Sequence, residues 1–229
     1  MSRSPRIYFE GAIYHITARG DNKEKIFGDY IDKRKYLKIV KECQAQYDFE
    51  IYVYMLMPNH VHFVIEPSLT KANISVIMHK INNNYARYFI WKYKRVGHVF
   101  QGRFFSNIIE KDTYLLNLIR YIHLNPVRAN LVKNPHDWEW SSVHEYLGKG
   151  NSGLKVNTDF VLNMLASNKE EQIKEFNQLL AMDTPEEDKS LKQKLESSFF
   201  VGTPNYISRM NQRFGTGKKK MGRPKKRGG

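Results

Sequence analysis

Cysteine is nearly absent from this 229-residue chain: Cys43 stands alone, which excludes an intramolecular disulfide and a cysteine-rich zinc site. No stretch approaches the ~18 consecutive apolar residues of a membrane-spanning helix. No apolar run follows the basic start Met1-Ser2-Arg3-Ser4-Pro5-Arg6, so a secretory leader is not expected. No segment repeats. Negative charge is also short, with 23 Asp and Glu against 37 Lys and Arg, a formal net charge of +14. Such an excess favours a polyanionic partner, because each phosphate it neutralises releases condensed counterions. With 14 Tyr and 13 Phe available to stack on bases, that partner is expected to be nucleic acid, and the compartment the nucleoid-bearing cytoplasm.

The apolar periodicity separates a compact front part from a polar rear. Ile13–Arg19 alternates as a strand and Asp29–Tyr47 has helical spacing, with Cys43 on the apolar side. Glu50–Met57 and His60–Glu66 read as two strands joined by a turn at Pro58-Asn59. Asn73–Tyr93 reads as a helix and Val99–Glu110 as a strand. A further helix, N-capped by Asp112, runs to Asn125 and stops at Pro126. The first six elements spell βαββαβ, a ferredoxin-like α+β antiparallel sheet with helices on one face. The last helix must lie elsewhere, across the open face. We expect a unit at 1–147, a mostly helical extension at 148–216 that begins with a Gly/Ser/Asn linker, and a basic, disordered tail at 217–229.

Two polar patterns interrupt the apolar logic. In His60-Val61-His62 the imidazoles share one face of a strand and can point at one ion. Alone, the pair reads more simply as two polar residues on a wet face. Tyr121 and Asn125, four apart on a helix, are stacked neighbours at the edge of an apolar stripe formed by Leu115, Ile119 and Ile122. Alone, they read as a boundary tyrosine and a capping asparagine. Tyr114, two turns before Tyr121, competes for the same stripe. His15 is read as a structural histidine with a catalytic or supporting role as the alternative, and His123 as structural.

Taken together these segments resemble a known family. Met57-Pro58-Asn59-His60-Val61-His62-Phe63 is similar to the HUH motif of single-tyrosine transposases. Gly97-His98-Val99-Phe100-Gln101-Gly102-Arg103-Phe104 and Arg120-Tyr121-Ile122-His123-Leu124-Asn125-Pro126-Val127-Arg128-Ala129 are similar to further signatures of it. Ala12-Ile13-Tyr14-His15-Ile16-Thr17 with Arg19-Gly20 matches its opening strand. The resemblance, nearest to REP-associated tyrosine transposases, covers residues 6–147. It implies that Tyr121 is a nucleophile forming a 5′-phosphotyrosine on single-stranded DNA marked by hairpins. It implies that His60, His62 and Asn125 hold a divalent cation, Mg2+ or Mn2+. It also implies a monomer or a homodimer.

Other basic residues are candidates for DNA contact. Gln101 and Arg103 lie on the expected 99–110 strand among phenylalanines, where arginine can clamp phosphate and aromatic rings can stack bases. The tail carries Lys218, Lys219, Lys220, Arg223, Lys225, Lys226 and Arg227, and Gly222-Arg223-Pro224-Lys225 resembles the core of an AT-hook. Competing readings are a replication-initiator or conjugative nickase with the same chemistry, and a non-catalytic ferredoxin-like binding module. Motif order and small size favour the transposase over the nickase. No RNP1-like aromatic run supports the RNA-binding version of the module.

Overall fold

A computed structural model of the chain describes residues 6–111 and 113–216. The front part folds in the expected order: β1 (Ile13–Arg19), α1 (Tyr30–Tyr47), β2 (Phe49–Met57), β3 (His60–Pro67), α2 (Ile74–Tyr93), β4 (Phe105–Ile109) and α3 (Thr113–His123). The strands pair antiparallel in the order β2-β3-β1-β4, the ferredoxin-like arrangement read from the sequence. Local chemistry sets the helix starts. Asp29 accepts from the Asp32 amide while the Asp32 carboxylate accepts from that of Asp29, a reciprocal cap on α1. Asn73 caps α2 through the amides of Ser75 and Val76. The cap expected at Asp112 lies outside the described residues.

Strand alternation divides the molecule into two cores. Tyr14, Ile16 and Ala18 of β1 join Phe63 and Ile65 of β3 under α1 and α2, with Tyr36, Val40, Ile77, Ile81 and Tyr85 buried between. The opposite face takes Ile13, Met55 and Val64, and α3 lies across it with Leu115, Leu118, Ile119 and Ile122 fully buried. A bulge in β2 between Ile51 and Val53 lets the successive residues Tyr52 and Val53 both reach that second core.

Two expectations are corrected. The strand expected at 99–110 pairs with β1 only from Phe105 to Ile109; Gly20 and Phe100 form an isolated bridge, and Gln101 and Arg103 are exposed in a loop that turns at Gly102 with φ +70°. The helix expected to reach Asn125 ends at His123, and α4 (Asn125–Arg128) begins afresh around Pro126, which cannot donate a backbone hydrogen bond. The Gly/Ser/Asn linker at 148–157 is held against the sheet: Leu154 is buried and Val156 bridges Ile51 at the β2 edge.

After α5 (Val143–Tyr146) come α6 (Thr158–Leu162), α7 (Lys169–Ala181), α8 (Pro185–Ser197) and α9 (Pro204–Phe214). Between α8 and α9, β5 (Phe200–Val201) adds in parallel to β4, an element the sequence pattern did not announce. The rear of the chain thus covers both edges of the sheet, groups that would otherwise invite pairing with another chain. No described helix is long and apolar enough to cross a membrane.

Candidate active site

The register of β1 against β3 builds the floor of the site. Thr17 pairs with His62 and Arg19 with His60, so His15, Thr17, Arg19, His60 and His62 all face the second core. Gly20 follows because a side chain there would put its Cβ 2.1 Å from the Glu24 carbonyl oxygen. Tyr121 of α3 and Asn125 of α4 come down from above. Together with Phe105 and with Lys192, Leu195 and Glu196 of α8, these residues line a cavity of about 470 Å3. An adjoining cleft of about 700 Å3 shares His60, Tyr121, Asn125 and Lys192 with it and runs along Arg128 and Asp188.

The hydrogen bonds of the two HUH histidines orient them. His60 Nδ1 lies 2.6 Å from Asn59 Oδ1, an oxygen that can only accept, so Nδ1 carries the proton and Nε2 keeps its lone pair. His62 Nδ1 is engaged 3.0 Å from His15 Nε2 and 3.2 Å from Thr17 Oγ1, leaving Nε2 as the ring nitrogen for a ligand. Burial pushes His60 down to about 4, aided by the Arg19 charge, and holds His62 well below the ordinary imidazole range. Both rings are therefore neutral at neutral pH, the form that binds metal.

Asn125 lines the same cavity as the two histidines. Its Oδ1 accepts from Arg128 at 3.1 Å and its Nδ2 is buried without a partner. No group of three or more His, Cys, Asp or Glu side chains suited to a metal occurs among the described residues. The groups here are instead two imidazoles and an amide, nitrogen and oxygen donors able to hold a divalent cation.

Around Tyr121 the charge is arranged by residues that sequence reasoning left without a role. The Arg128 guanidinium lies 4.2 Å from the Tyr121 ring centre and donates to the Tyr121 carbonyl. Asp188 of α8 accepts from Arg128 at 2.6 Å and from the buried Arg120 at 2.6 Å, tying the extension to α3 and α4. Burial raises the Tyr121 hydroxyl above the usual phenol value; Arg128 opposes the rise, while Asp188 and Glu196 add to it. Arg128 could have been found from its spacing, three residues after Asn125. Lys192 and Glu196 are separated from the motifs by too much chain to be found that way.

The other candidates go elsewhere. Tyr114 lines a separate groove with Asn117 and Arg120 and accepts from Lys194 at 3.0 Å. His123 packs edge-on against Tyr146 and Phe176 and bonds Ser142 at 2.9 Å. Arg103 lines a groove with Arg6, His79 and Phe104 rather than the histidine cavity, and Gln101 does not line that cavity either. The basic residues from Lys218 to Arg227 lie outside the described residues. Cys43 is buried in the first core.

A family model described as "Transposase IS200 like" matches residues 8–125, a span that holds His60, His62, Tyr121 and Asn125. A putative REP-associated tyrosine transposase of Haemophilus influenzae is 25% identical over 178 residues, 69% of this chain and 99% of that protein. A REP-associated tyrosine transposase of Escherichia coli is 24% identical over 152 residues, 66% of this chain and 87% of that protein. Among solved structures, a REP-associated tyrosine transposase bound to a REP hairpin is similar with a TM-score of 0.55 at 19% identity. It covers 69% of this chain and 93% of its own, which establishes the shared fold.

Proposed function

The chain belongs to the IS200-like transposase family, and from that premise we propose that it cuts and rejoins single-stranded DNA next to hairpins through a covalent bond to Tyr121. The observation that carries this reading is the cavity that gathers Tyr121, His60, His62 and Asn125 from three separate elements. One relative is described as bound to a REP hairpin. A hairpin-flanked strand suits the pair of adjoining cavities here, with Arg19, Arg128, Lys189 and Lys192 along their walls.

In the proposed step the Tyr121 oxygen attacks phosphorus and forms a new P–O bond, while the bond from phosphorus to the 3′ oxygen breaks. The phenolic proton leaves Tyr121 and the departing 3′ oxygen gains one. Because the phosphoester is conserved, the 3′-hydroxyl of another strand can reverse the step and join the strands without ATP. The positive charge of Arg128 beside the ring favours the phenolate that burial disfavours. His60 Nε2, His62 Nε2 and Asn125 Oδ1 would hold Mg2+ or Mn2+, which when bound supplies positive charge to the scissile phosphate. Residues 1–147 would form the catalytic unit, 148–216 a brace, and the tail 217–229, with Gln101 and Arg103, further contacts to DNA.

The test is covalent capture. Single-stranded hairpin DNA labelled 3′ of the cut is incubated with Mn2+ and run on a denaturing gel. Wild type and Tyr114→Phe are expected to give a labelled protein band, and Tyr121→Phe none, with hairpin binding kept because only one oxygen is removed. A band that survives in Tyr121→Phe and is lost in Tyr114→Phe moves the nucleophile to Tyr114. No band from wild type on many hairpins points to a binding module.

A further inference from the structure

We infer that His15 and Asn107 are positioning residues that, together with two backbone carbonyls at the end of α8, fix which nitrogen of His62 is free to bind a metal. The inference rests on the metal-site reading above and adds an origin for the tautomer that reading needs.

The relay begins in the extension. Asn107 of β4 is fully buried, and its Nδ2 donates to the carbonyls of Leu195 at 3.0 Å and Ser198 at 2.5 Å. Carbonyls only accept, so the amide cannot turn over. Its Oδ1 is thereby held toward His15, whose Nδ1 lies 3.4 Å away, a long contact but with no other polar partner for that nitrogen among the described residues. An amide oxygen cannot donate, so His15 Nδ1 carries the proton and, in a neutral ring, His15 Nε2 is bare. That bare nitrogen sits 3.0 Å from His62 Nδ1. Two lone pairs at that distance repel, so His62 Nδ1 must carry the proton, and its Nε2 is the nitrogen left open. Thr17 Oγ1, 3.2 Å from the same Nδ1, does not decide the matter, because a hydroxyl can either donate or accept.

The two rings lie nearly parallel, 12° apart with centroids 5.3 Å from one another, in a site where both are buried. Ligating histidines usually have their second nitrogen fixed by a carboxylate, a carbonyl or water, and losing such a partner costs about 10- to 100-fold in metal affinity or activity. His60 has a local partner of this kind in Asn59. For His62 the partner is remote: the order runs from the end of α8 through β4 and β1 to β3. This assigns the extension a role at the metal site, beyond its role in covering sheet edges.

The tautomer can be read directly. In metal-free, 15N-histidine-labelled full-length protein, long-range 1H–15N correlations distinguish Nδ1–H from Nε2–H rings. The expected result is Nδ1–H for both His15 and His62. An Nε2–H ring at His62 overturns the inference, and this readout needs no variant to fold. Variants then test the consequence through the Mn2+ dissociation constant measured by electron paramagnetic resonance. His15→Phe keeps a ring and removes both nitrogens, and is expected to weaken Mn2+ binding by about 10- to 100-fold. His15→Gln offers an acceptor and a donor in the same sense as the inferred tautomer and is expected to stay within a few-fold of wild type. Equal losses in His15→Phe and His15→Gln, or no loss in a folded His15→Phe, would overturn the relay. A wild type that shows both Nδ1–H rings yet binds no Mn2+ would instead sink the metal reading and leave the relay standing.

Discussion

On the face of the sheet covered by α1 and α2, the buried carboxylate of Asp32 is saturated. It accepts from the Gly28 amide, from Lys92 and from Tyr93 at 2.7 Å each, and from Tyr88 at 2.9 Å. Burial would raise its pKa, but Lys92, Tyr93, Gly28 and Tyr88 outweigh it and hold the carboxyl below the usual range. Buried Gln44 on the same helix is likewise satisfied, by the Phe49 and Lys155 backbones. On the opposite face, under α3 and the extension, Asn125 Nδ2, His123 Nδ1 and Thr184 Oγ1 are buried without a hydrogen-bond partner. Arg95 Nε and Glu145 Oε2 on the first side also lack one, but the Arg95 guanidinium pairs with Glu24 at 2.6 Å and the other Glu145 oxygen accepts from Tyr54 at 3.0 Å. A buried polar group left open costs roughly 1–3 kcal/mol. The difference lies at the cleft: Asn125 and Thr184 line it, where a ligand can complete them, while His123 is sealed among Tyr146 and Phe176.

The largest effect that would break this comparison lies on the open face. His60→Ala or His62→Ala, or EDTA added to wild type, is expected to lower cleavage by orders of magnitude while the thermal midpoint changes little, since a partly exposed or already destabilised imidazole is lost. Cleavage undiminished in EDTA would overturn metal dependence, and tightly held zinc after purification would recast the site as structural.

On the closed face the expectation is inverted. Asp32→Ala breaks a buried pair and leaves the Gly28 amide, Tyr88, Tyr93 and Lys92 without their acceptor, so urea unfolding is expected to show a loss of roughly 3 kcal/mol. That is the low end for such a change, because Lys92 keeps access to water. Mn2+ affinity per folded molecule is expected to stay as in wild type. If Asp32→Ala weakens Mn2+ binding as much as it weakens folding, the two faces are not separable in function.

His123 gives a smaller effect with a definite sign. Burial, helped by His136 and His144, lowers it to about 3 in the folded protein against an ordinary value of 6.5. Between those values the unfolded chain binds the proton and the folded chain does not, so stability falls as pH falls through that window. The slope is up to about 1.4 kcal/mol per pH unit from this group. His123→Gln cannot titrate and is expected to unfold with a shallower acid dependence in urea titrations at pH 4, 5 and 6. An identical slope in the variant would assign the acid sensitivity to other groups.

The smallest effect concerns the tail. Deleting residues 217–229 is expected to weaken hairpin binding and flatten its dependence on salt, because several phosphate contacts are lost. Cleavage of saturating substrate is expected to survive. Affinity and salt slope that match the full chain would remove the tail from the DNA interface.

The periodicities that sequence reading relies on are local, and local features were legible. The two-residue alternation of Ile13–Arg19 and of His60–Glu66 set which side chains share a face. The apolar stripe through Leu115, Ile119 and Ile122 set how α3 would lie on the sheet. The order of those elements was enough for the ferredoxin-like arrangement, because short connections leave few ways to pair the strands. The strand expected at 99–110 failed for a local reason as well: its aromatic residues carry strand character, but Gly102 at φ +70° turns the chain before pairing resumes at Phe105. Two-residue β5 was too short to leave a period.

Which polar groups meet across long stretches of chain is settled by folding alone. Asn107 lies 92 residues from His15 and 88 from Leu195, and Asp188 lies 60 from Arg128. Nothing in the local sequence of any of them requires the other. Their contacts form because the apolar faces of α3, α7 and α8 have to be buried on one side of the sheet. That burial is non-directional and can be read as a pattern. The hydrogen bonds it brings together are directional, and their partners and proton positions exist only once the chain is folded.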